Sequence, residues 1–112
     1  MGWKTNEEEE GSVLVPVCHG YGSMNYEGIK LRFIVIDKLG SDLEKNFESG
    51  EKPFPLVTAL RVCVQVLDSL EYVHSKGYCH NDIKSQNLLL GCTSATSNSV
   101  YLVDFGLACR FL

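Results

Sequence analysis

A long periodic segment of apolar residues limits the folds open to this chain more than any other feature. Between Leu56 and His74, apolar residues recur every three or four positions, which is the pattern of an amphipathic helix that ends before Gly77. Five residues of this segment are valines, which form helices poorly in isolation. The helix therefore needs tertiary packing, and a chain of 112 residues has room for one small domain to provide it.

Two segments before this helix are predicted to be strands. Val13–Val17 is a short strand that Pro16 closes, and Leu31–Ile36 is a continuous, largely β-branched apolar run that predicts a buried strand. We expect the two strands to pair as neighbours. Gly20–Gly28 lies between them and is rich in glycine, so it predicts a loop or a hairpin connection.

A short helix is predicted immediately before the long one. Ser41 and Glu44 have the spacing of a capping box, in which each side chain binds the backbone amide of the other residue. The helix would cover residues 42–49 and end at Gly50.

A second pair of short strands is predicted near the end of the chain, at Leu88–Leu90 and Val100–Val103. The segment between them, Gly91–Ser99, is rich in serine and threonine and predicts a hairpin loop.

Charge and cysteine content argue against several classes of function. The chain has 14 acidic and 10 basic residues and a net charge of −4, so we expect no direct binding of nucleic acid. The run Glu7–Glu10 predicts a solvated acidic segment, and no stretch suits a signal peptide or a membrane span, so we expect an intracellular protein without a membrane partner. Five cysteines without a C-x-x-C pair predict reduced thiols instead of a zinc site or a disulfide scaffold.

The segment from His80 to Asn87 carries the residues on which a functional prediction depends. It reads His-Asn-Asp-Ile-Lys-Ser-Gln-Asn, and Asp-Phe-Gly follows at residues 104–106, after the predicted hairpin. This order resembles the catalytic loop H-R-D-x-x-x-x-N and the metal-binding turn D-F-G of the protein kinases. The long helix before the first motif and the hairpin between the two motifs agree with the resemblance.

The resemblance implies an α+β fold of the protein-kinase type, present in part. Its expected pieces are small-lobe strands and a hinge, a long large-lobe helix, the catalytic loop, and a β-hairpin that leads to D-F-G. Residues 13–112 would form this partial domain, and residues 1–12 the acidic segment before it. The resemblance also implies ATP as the phosphoryl donor, Mg²⁺ as cofactor and serine or threonine hydroxyls of proteins as acceptors.

Four residues receive chemical roles from the resemblance. Asp82 would accept the proton of the substrate hydroxyl, and Lys84 would neutralise charge on the transferred phosphoryl group. Asn87 and Asp104 would offer oxygen atoms to Mg²⁺. Gly106 would permit the backbone to bend after Asp104. The family also implies that the histidine and phenylalanine of the two motifs pack on each other beneath the site.

Two stretches narrow the resemblance to the vaccinia-related kinases, within the casein kinase I group. They are residues 31–43, which would include the hinge, and residues 100–111 around D-F-G. The nucleotide contacts that this family implies are, in chain order, the gatekeeper Ile36, the adenine-facing backbone of Asp37 and Leu39, Ser41 or Asp42 near the ribose, and Leu89 on the floor of the adenine pocket.

The chain also departs from the kinase pattern. Asn81 stands where H-R-D has arginine, so no cation at this position would bind a phosphorylated activation loop, and we do not expect that mode of control. The 112 residues contain no G-x-G-x-x-G loop and no V-A-I-K-like lysine, and six residues follow Gly106. We therefore expect a fragment of a kinase domain that is marginally stable, exposes apolar surface on its long helix and is inactive alone.

Two other functions stay open at this point. A pseudokinase-like or truncated binding module would retain the fold without transferring phosphate. A small-molecule phosphotransferase of the aminoglycoside or choline kinase sort also uses an H-x-D-x-x-x-x-N loop, although Lys84 and the complete D-F-G argue against it. Residence in the nucleus or the cytoplasm follows from the resemblance alone.

Overall fold

The computed structural model describes residues 14–50 and 54–111, and the predicted acidic segment 1–12 lies outside the described residues. The elements, in chain order, are β1 (Cys18–Tyr26), β2 (Ile29–Ile36), α1 (Leu43–Ser49), α2 (Leu56–Ser75), β3 (Tyr78–Cys79), a 3₁₀ turn (Ser85–Asn87), β4 (Leu88–Leu90), β5 (Val100–Leu102) and β6 (Cys109–Arg110). The strands form three antiparallel pairs, β1–β2, β3–β6 and β4–β5. This mixture of strands and helices confirms the predicted α+β class.

The long helix α2 is confirmed within one residue of its predicted end. Its last turn leads to Gly77, which has a φ of +84° and so takes the left-handed conformation that commonly ends a helix. The buried residues of α2 are Ser69, Tyr72 and Val73, all in its C-terminal half. The fully buried residues of the helix thus lie in that half, and Val62 of the other half is partly buried against the same core.

The core lies between the C-terminal half of α2 and the β4–β5 hairpin. Leu102 of β5 is 1% exposed and Val73 of α2 is fully buried, and both belong to one cluster of buried apolar side chains. Val15 joins this cluster from an extended segment, which is held to β5 because the Leu102 amide donates to the Leu14 carbonyl at 3.0 Å. The predicted hairpin of residues 88–103 is therefore confirmed, and it forms one wall of the core.

The first hairpin differs from the prediction in its extent. Residues 14–17 form no strand, and the predicted loop Gly20–Gly28 is mostly strand β1, which pairs along its length with β2. The two-residue turn is Glu27-Gly28, and both residues have a left-handed φ, as tight hairpin turns prefer. The predicted loop or hairpin connection is thus right for the turn at Glu27-Gly28 and wrong for residues 20–26, where strand glycines were interpreted as turn signals.

One of those glycines has a clear packing role. Gly22 is opposite Phe33 in the ladder, and a β-carbon added at Gly22 would lie 2.8 Å from the Phe33 ring. The ring thus covers the space that a side chain would occupy, which stabilises a glycine in a strand.

The prediction that Leu31–Ile36 is a buried strand was half right. The segment is a strand, but every residue of β2 is exposed. A continuous apolar run predicts burial when further layers cover both faces of a sheet. Within the described residues, β1 and β2 form a two-stranded ribbon of their own.

The short helix α1 has a different cap from the predicted one. Asp42 is the N-cap, and its carboxylate accepts from the Lys45 amide at 2.8 Å. Ser41 Oγ instead accepts from Asn46 Nδ2, so no capping box forms between Ser41 and Glu44. Two acceptors of similar strength lie next to each other in the sequence, and spacing alone selected the wrong one.

Apolar side chains are exposed on the N-terminal half of α2, as the sequence predicted. Leu56, Leu60 and Val64 are all more than half exposed. Within residues 14–50 and 54–111, none of the helices combines the length and the hydropathy that a membrane span requires.

Two valines of α2 give a matched test of where the core lies. Val73→Ala removes two methyl groups from a fully buried site and is expected to lower the free energy of unfolding by about 2 kcal/mol. Val64→Ala makes the same change at a site that is 59% exposed, and we expect a change below about 0.5 kcal/mol. Urea unfolding followed by circular dichroism measures both; equal losses would contradict the described core.

Candidate active site

The β4–β5 hairpin brings the two predicted metal ligands together. Leu88 is opposite Leu102, and one step further along the ladder the Val103 amide donates to the Asn87 carbonyl at 3.0 Å. Asp104 is the next residue after Val103. The two ligand positions thus lie at the same end of one hairpin, although 17 positions separate them in the sequence.

His80 fixes the catalytic loop to the end of β5. Its side chain is 1% exposed, and Nε2 donates to the Val103 carbonyl at 2.8 Å. Nδ1 accepts from the Asp82 amide at 3.1 Å, so the two bonds together define the tautomer with its proton on Nε2. The imidazole also contacts the Phe105 ring edge to face, with centroids 4.8 Å apart. The predicted packing of these two rings is present.

Asn87 organises the carboxylate of the catalytic loop. Its Nδ2 donates to the Asp82 carbonyl at 2.9 Å and to Asp82 Oδ2 at 3.1 Å. Because the side-chain nitrogen Nδ2 makes both bonds, the side-chain oxygen Oδ1 of Asn87 is the atom that can bind a cation. Lys84 Nζ lies 3.8 Å from Asp82 Oδ2, and its side chain is about half exposed. A carboxylate, an ammonium and an amide thus converge at this loop.

Asp104 has a left-handed backbone, with φ of +60°, and its side chain is exposed. Its Oδ1 accepts from the Gly106 amide at 3.1 Å. The expected role of Gly106 in the bend changes accordingly, because Asp104 and not Gly106 takes the left-handed φ. A β-carbon at Gly106 would lie 3.1 Å from Asp104 Oδ1, so a larger residue there would shift the carboxylate by a few tenths of an ångström.

The oxygens of Asn87 and Asp104 suit a hard divalent cation. Mg²⁺ is held in proteins by one or two carboxylate or amide oxygens, and water and phosphate oxygens fill its other positions. No group of three or more histidine, cysteine, aspartate or glutamate side chains is placed to hold a metal in the part of the chain that the structure describes. A site with two protein ligands fits Mg²⁺ bound with a nucleotide and does not fit a closed protein cage.

The segment between β2 and α1, residues 37–42, which would contain the hinge, is hydrogen-bonded to β4. The Gly40 amide donates to the Leu90 carbonyl at 2.7 Å, and the Leu90 amide donates to the Ser41 carbonyl at 3.0 Å. A single bridge then pairs Asp42 with Leu89. Three of the expected nucleotide contacts, Ser41, Asp42 and Leu89, are thus placed side by side.

The other expected nucleotide contacts lie at the opposite end of the connection. Ile36 is the last residue of β2, and Asp37 follows it with its carboxylate bonded to His19 Nε2 at 2.8 Å. Leu39 is partly buried. Ile36 and Asp37 are thus placed by the first hairpin, whereas Ser41 and Asp42 are placed by β4.

Two contacts of the catalytic loop were not predicted from the sequence. Ser85 Oγ donates to the Glu44 carboxylate, which ties the loop to α1. Asn81 Nδ2 donates to the Leu107 carbonyl at 3.2 Å and to Cys109 Sγ at 3.1 Å. The first contact spans 41 positions and left no local pattern. The second could have been suspected because asparagine replaces arginine in the motif.

A cavity of about 420 Å³ lies away from this cluster. Its walls come from the segment 14–17, the hinge residues 37–39 and the loop after β4, with Tyr101. Asp82, Lys84, Asn87 and Asp104 do not line it. Access to the four predicted site residues is uneven. Asp104 is exposed, whereas Asn87 is buried. Lys84 is about half exposed and Asp82 one-quarter exposed.

Comparison with known proteins agrees with this geometry. The protein kinase domain model matches residues 22–112. Nucleosomal histone kinase 1 of Drosophila melanogaster is 44% identical over 101 residues, which are 90% of this chain and 17% of that protein. Human serine/threonine-protein kinase VRK2 is 41% identical over 98 residues, which are 87% of this chain and 18% of that protein.

A viral relative covers still more of the chain. The B1 kinase of vaccinia virus strain Western Reserve is 29% identical over 110 residues, which are 98% of this chain and 36% of that protein. The chain thus spans between about a sixth and about a third of the length of these three relatives. The predicted likeness to the vaccinia-related kinases is confirmed, and placement in the casein kinase I group stays a prediction. Because the protein kinase domain model matches most of its length, the chain belongs to the protein kinase domain family.

Proposed function

We propose that this chain carries the catalytic loop, hinge and metal-binding turn of a serine/threonine protein kinase. The observation that carries the proposal is the double hydrogen bond from Asn87 to Asp82, with Asp104 next to Val103, whose amide donates to the Asn87 backbone carbonyl. A base and two metal ligands are the groups that in-line phosphoryl transfer requires. Here they are held by one loop and one hairpin.

Asp82 is assigned to the acceptor hydroxyl. Its Oδ2 is the atom bonded to Asn87, which leaves the other carboxylate oxygen to accept the proton of a serine or threonine hydroxyl. The side chain is one-quarter exposed, so an acceptor can reach it. The hydrogen bond from the Asp82 amide to His80 holds the backbone in place, and this limits rotation of the carboxylate away from the acceptor.

Lys84 is assigned to the transferred phosphoryl group. Its ammonium lies close enough to Asp82 to share the site but is about half exposed, and so can turn toward an incoming phosphate. A compact positive charge there stabilises the negative charge on the equatorial oxygens during transfer.

Asn87 and Asp104 are assigned to Mg²⁺ bound with ATP. The cation would neutralise the phosphate oxygens as charge shifts during transfer. Ile36, the backbone of Asp37 and Leu39, Ser41 or Asp42, and Leu89 are assigned to the adenosine part, and the bridge between Asp42 and Leu89 supports that assignment.

Protein substrates of this chain are proposed from its relatives. The Drosophila relative is named as a nucleosomal histone kinase, so a core histone is a reasonable first acceptor to test. We propose nuclear or cytoplasmic residence on the same basis. Imaging of the full protein with a fluorescent tag would check it.

One observation favours a second candidate, a pseudokinase-like binding module. Asp104 is exposed and Lys84 is about half exposed, and the 420 Å³ cavity described above includes neither side chain. A module of this kind would bind nucleotide or a partner without transferring phosphate. Turnover therefore has to be measured separately from binding.

Nucleotide binding can be tested on the 112-residue chain by NMR with Mn²⁺–ATP, because the paramagnetic ion broadens nearby amide signals. We expect broadening centred on Asn87 and Asp104, and we expect Asp104→Asn to weaken it strongly because the negative charge of the ligand carboxylate is lost. Glu71→Gln, an exposed carboxylate-to-amide change on α2, is the control and is expected to leave the broadening unchanged. Broadening confined to Glu7–Glu10 would argue against the metal assignment.

Phosphoryl transfer can be tested in the full protein that contains these residues, with radiolabelled ATP and a core histone. Asp82→Asn is expected to lower kcat by roughly 10²- to 10⁴-fold, because an amide cannot accept the hydroxyl proton. Glu71→Gln again serves as the control. Labelled phosphoserine or phosphothreonine supports the proposal, and unchanged turnover in Asp82→Asn contradicts it.

The same assay separates the alternatives. Binding of Mn²⁺–ATP without turnover would favour the pseudokinase-like module. Labelling of choline or an aminoglycoside instead of protein would favour a small-molecule phosphotransferase. We expect the isolated 112-residue chain to transfer no phosphate, since its sequence includes no glycine-rich loop or strand lysine.

A further inference from the structure

The smallest sheet of the molecule places two cysteines opposite each other. In the antiparallel ladder of β3 and β6, Cys79 is the direct partner of Cys109. Opposite residues in such a ladder have their Cα atoms about 4.5 to 5.5 Å apart. Disulfides join residues whose Cα atoms are about 4.4 to 6.8 Å apart, so the backbone is already at the spacing of a disulfide.

The ladder also sets the face on which the two side chains lie. Directly opposite residues present their side chains on the same face of a ladder. The ladder continues through a hydrogen bond from the Phe111 amide to the Gly77 carbonyl at 3.1 Å, which fixes the register on that side. Asn81 Nδ2 donates to Cys109 Sγ at 3.1 Å and restrains that sulfur next to β3.

The two thiols differ in exposure. Cys109 is exposed and Cys79 is partly buried, and both are free thiols. A small oxidant can therefore reach Cys109 first. Cys79 is then the neighbouring thiol that can complete the reaction.

We propose that Cys79 and Cys109 form a reversible disulfide by exchange with a low-molecular-weight disulfide such as oxidised glutathione. The Cys109 thiolate attacks one sulfur of that disulfide, the S–S bond of the reagent breaks, and the first glutathione leaves as a thiol after taking up a proton. The Cys79 thiolate then attacks the mixed disulfide at Cys109 Sγ, and the second glutathione leaves in the same way. Two protein thiols are oxidised and one glutathione disulfide is reduced to two thiols.

The bond would close a loop of about 30 residues, which lowers the conformational entropy of the unfolded chain. That loop contains Asp82, Asn87 and Asp104, so oxidation would join the segment after D-F-G to the strand before the catalytic loop. The prediction of reduced thiols fits the resting state, because disulfides in a reducing compartment are transient. The proposal does not depend on phosphoryl transfer.

The other cysteines serve as internal controls. Cys18 is opposite Ile36 in the first hairpin, Cys63 is exposed on α2, and Cys92 Sγ donates to the Lys38 carbonyl. In the three ladders that the structure describes, Cys79 and Cys109 are the one pair of cysteines in direct register. The yield of the Cys79–Cys109 disulfide can thus be compared with the yields of disulfides that involve the other three thiols.

The test is disulfide mapping of the 112-residue chain in a glutathione redox buffer, in native solution and in urea. Trypsin places Cys92 and Cys109 in one peptide, so the mapping uses a Cys92→Ser background as well as the native sequence. We expect the peptide with Cys79 to be joined to Cys109, with a yield at least about tenfold higher in native solution than in urea. In urea, chain closure alone sets the yield. Thermal unfolding of the oxidised chain should shift upward by roughly 10 °C.

Substitutions provide the matched comparison. Cys79→Ser and Cys109→Ser should each abolish the internal disulfide, and Cys63→Ser should leave it unchanged. Equal yields in native solution and in urea, a dominant Cys79–Cys92 link, or a glutathione adduct on Cys109 that never closes would each overturn the proposal. The comparison of native solution with urea needs no substitution in the pair, so it remains decisive if either serine variant fails to fold.

Discussion

The burial of the β4–β5 hairpin against the C-terminal half of α2 is the constraint on which the rest of the structure depends. Val73 and Leu102 are almost completely removed from solvent at this contact. The hairpin is short, with three residues in each strand, so its register follows from packing against the helix as well as from its own hydrogen bonds. Once the hairpin is packed against the helix, Asn87 and the residues after β5 have fixed positions.

The polar site is attached to this core by side chains that are themselves buried. His80 bonds to both the catalytic loop and the end of β5, and Asn87, 5% exposed, bonds to Asp82. A buried polar group without a partner costs about 1 to 3 kcal/mol, so these bonds stabilise the loop in one conformation. The carboxylates that we propose for catalysis can then remain accessible while the groups that orient them are shielded from water. In this arrangement, buried side chains fix the geometry of the site, and the side chains proposed to react are more accessible to solvent.

The sequence predicted α2, the β4–β5 hairpin and the order of the catalytic residues, because each has a local or motif-based signal. It did not predict β1, since strand glycines look like turn residues until the ring of Phe33 is placed over Gly22. It misassigned the cap of α1 because Ser41 and Asp42 are adjacent and both able to cap. The bond between Glu44 and Ser85 and the β3–β6 ladder depend on contacts between distant positions, which no local pattern reveals.

The uneven burial of α2 gives the helix two ends of different local stability. Pro55, at its N-cap, makes no side-chain capping bond, and the first three turns contain valines and exposed leucines. Opening those turns would expose Val62 and Val66, which pack on the rim of the buried cluster, whereas opening the turns around Val73 would break its centre. Amide hydrogen exchange along α2 should therefore slow progressively from Leu56 toward Ser75. The catalytic loop follows the slowly exchanging end, so fraying of the helix does not reach it.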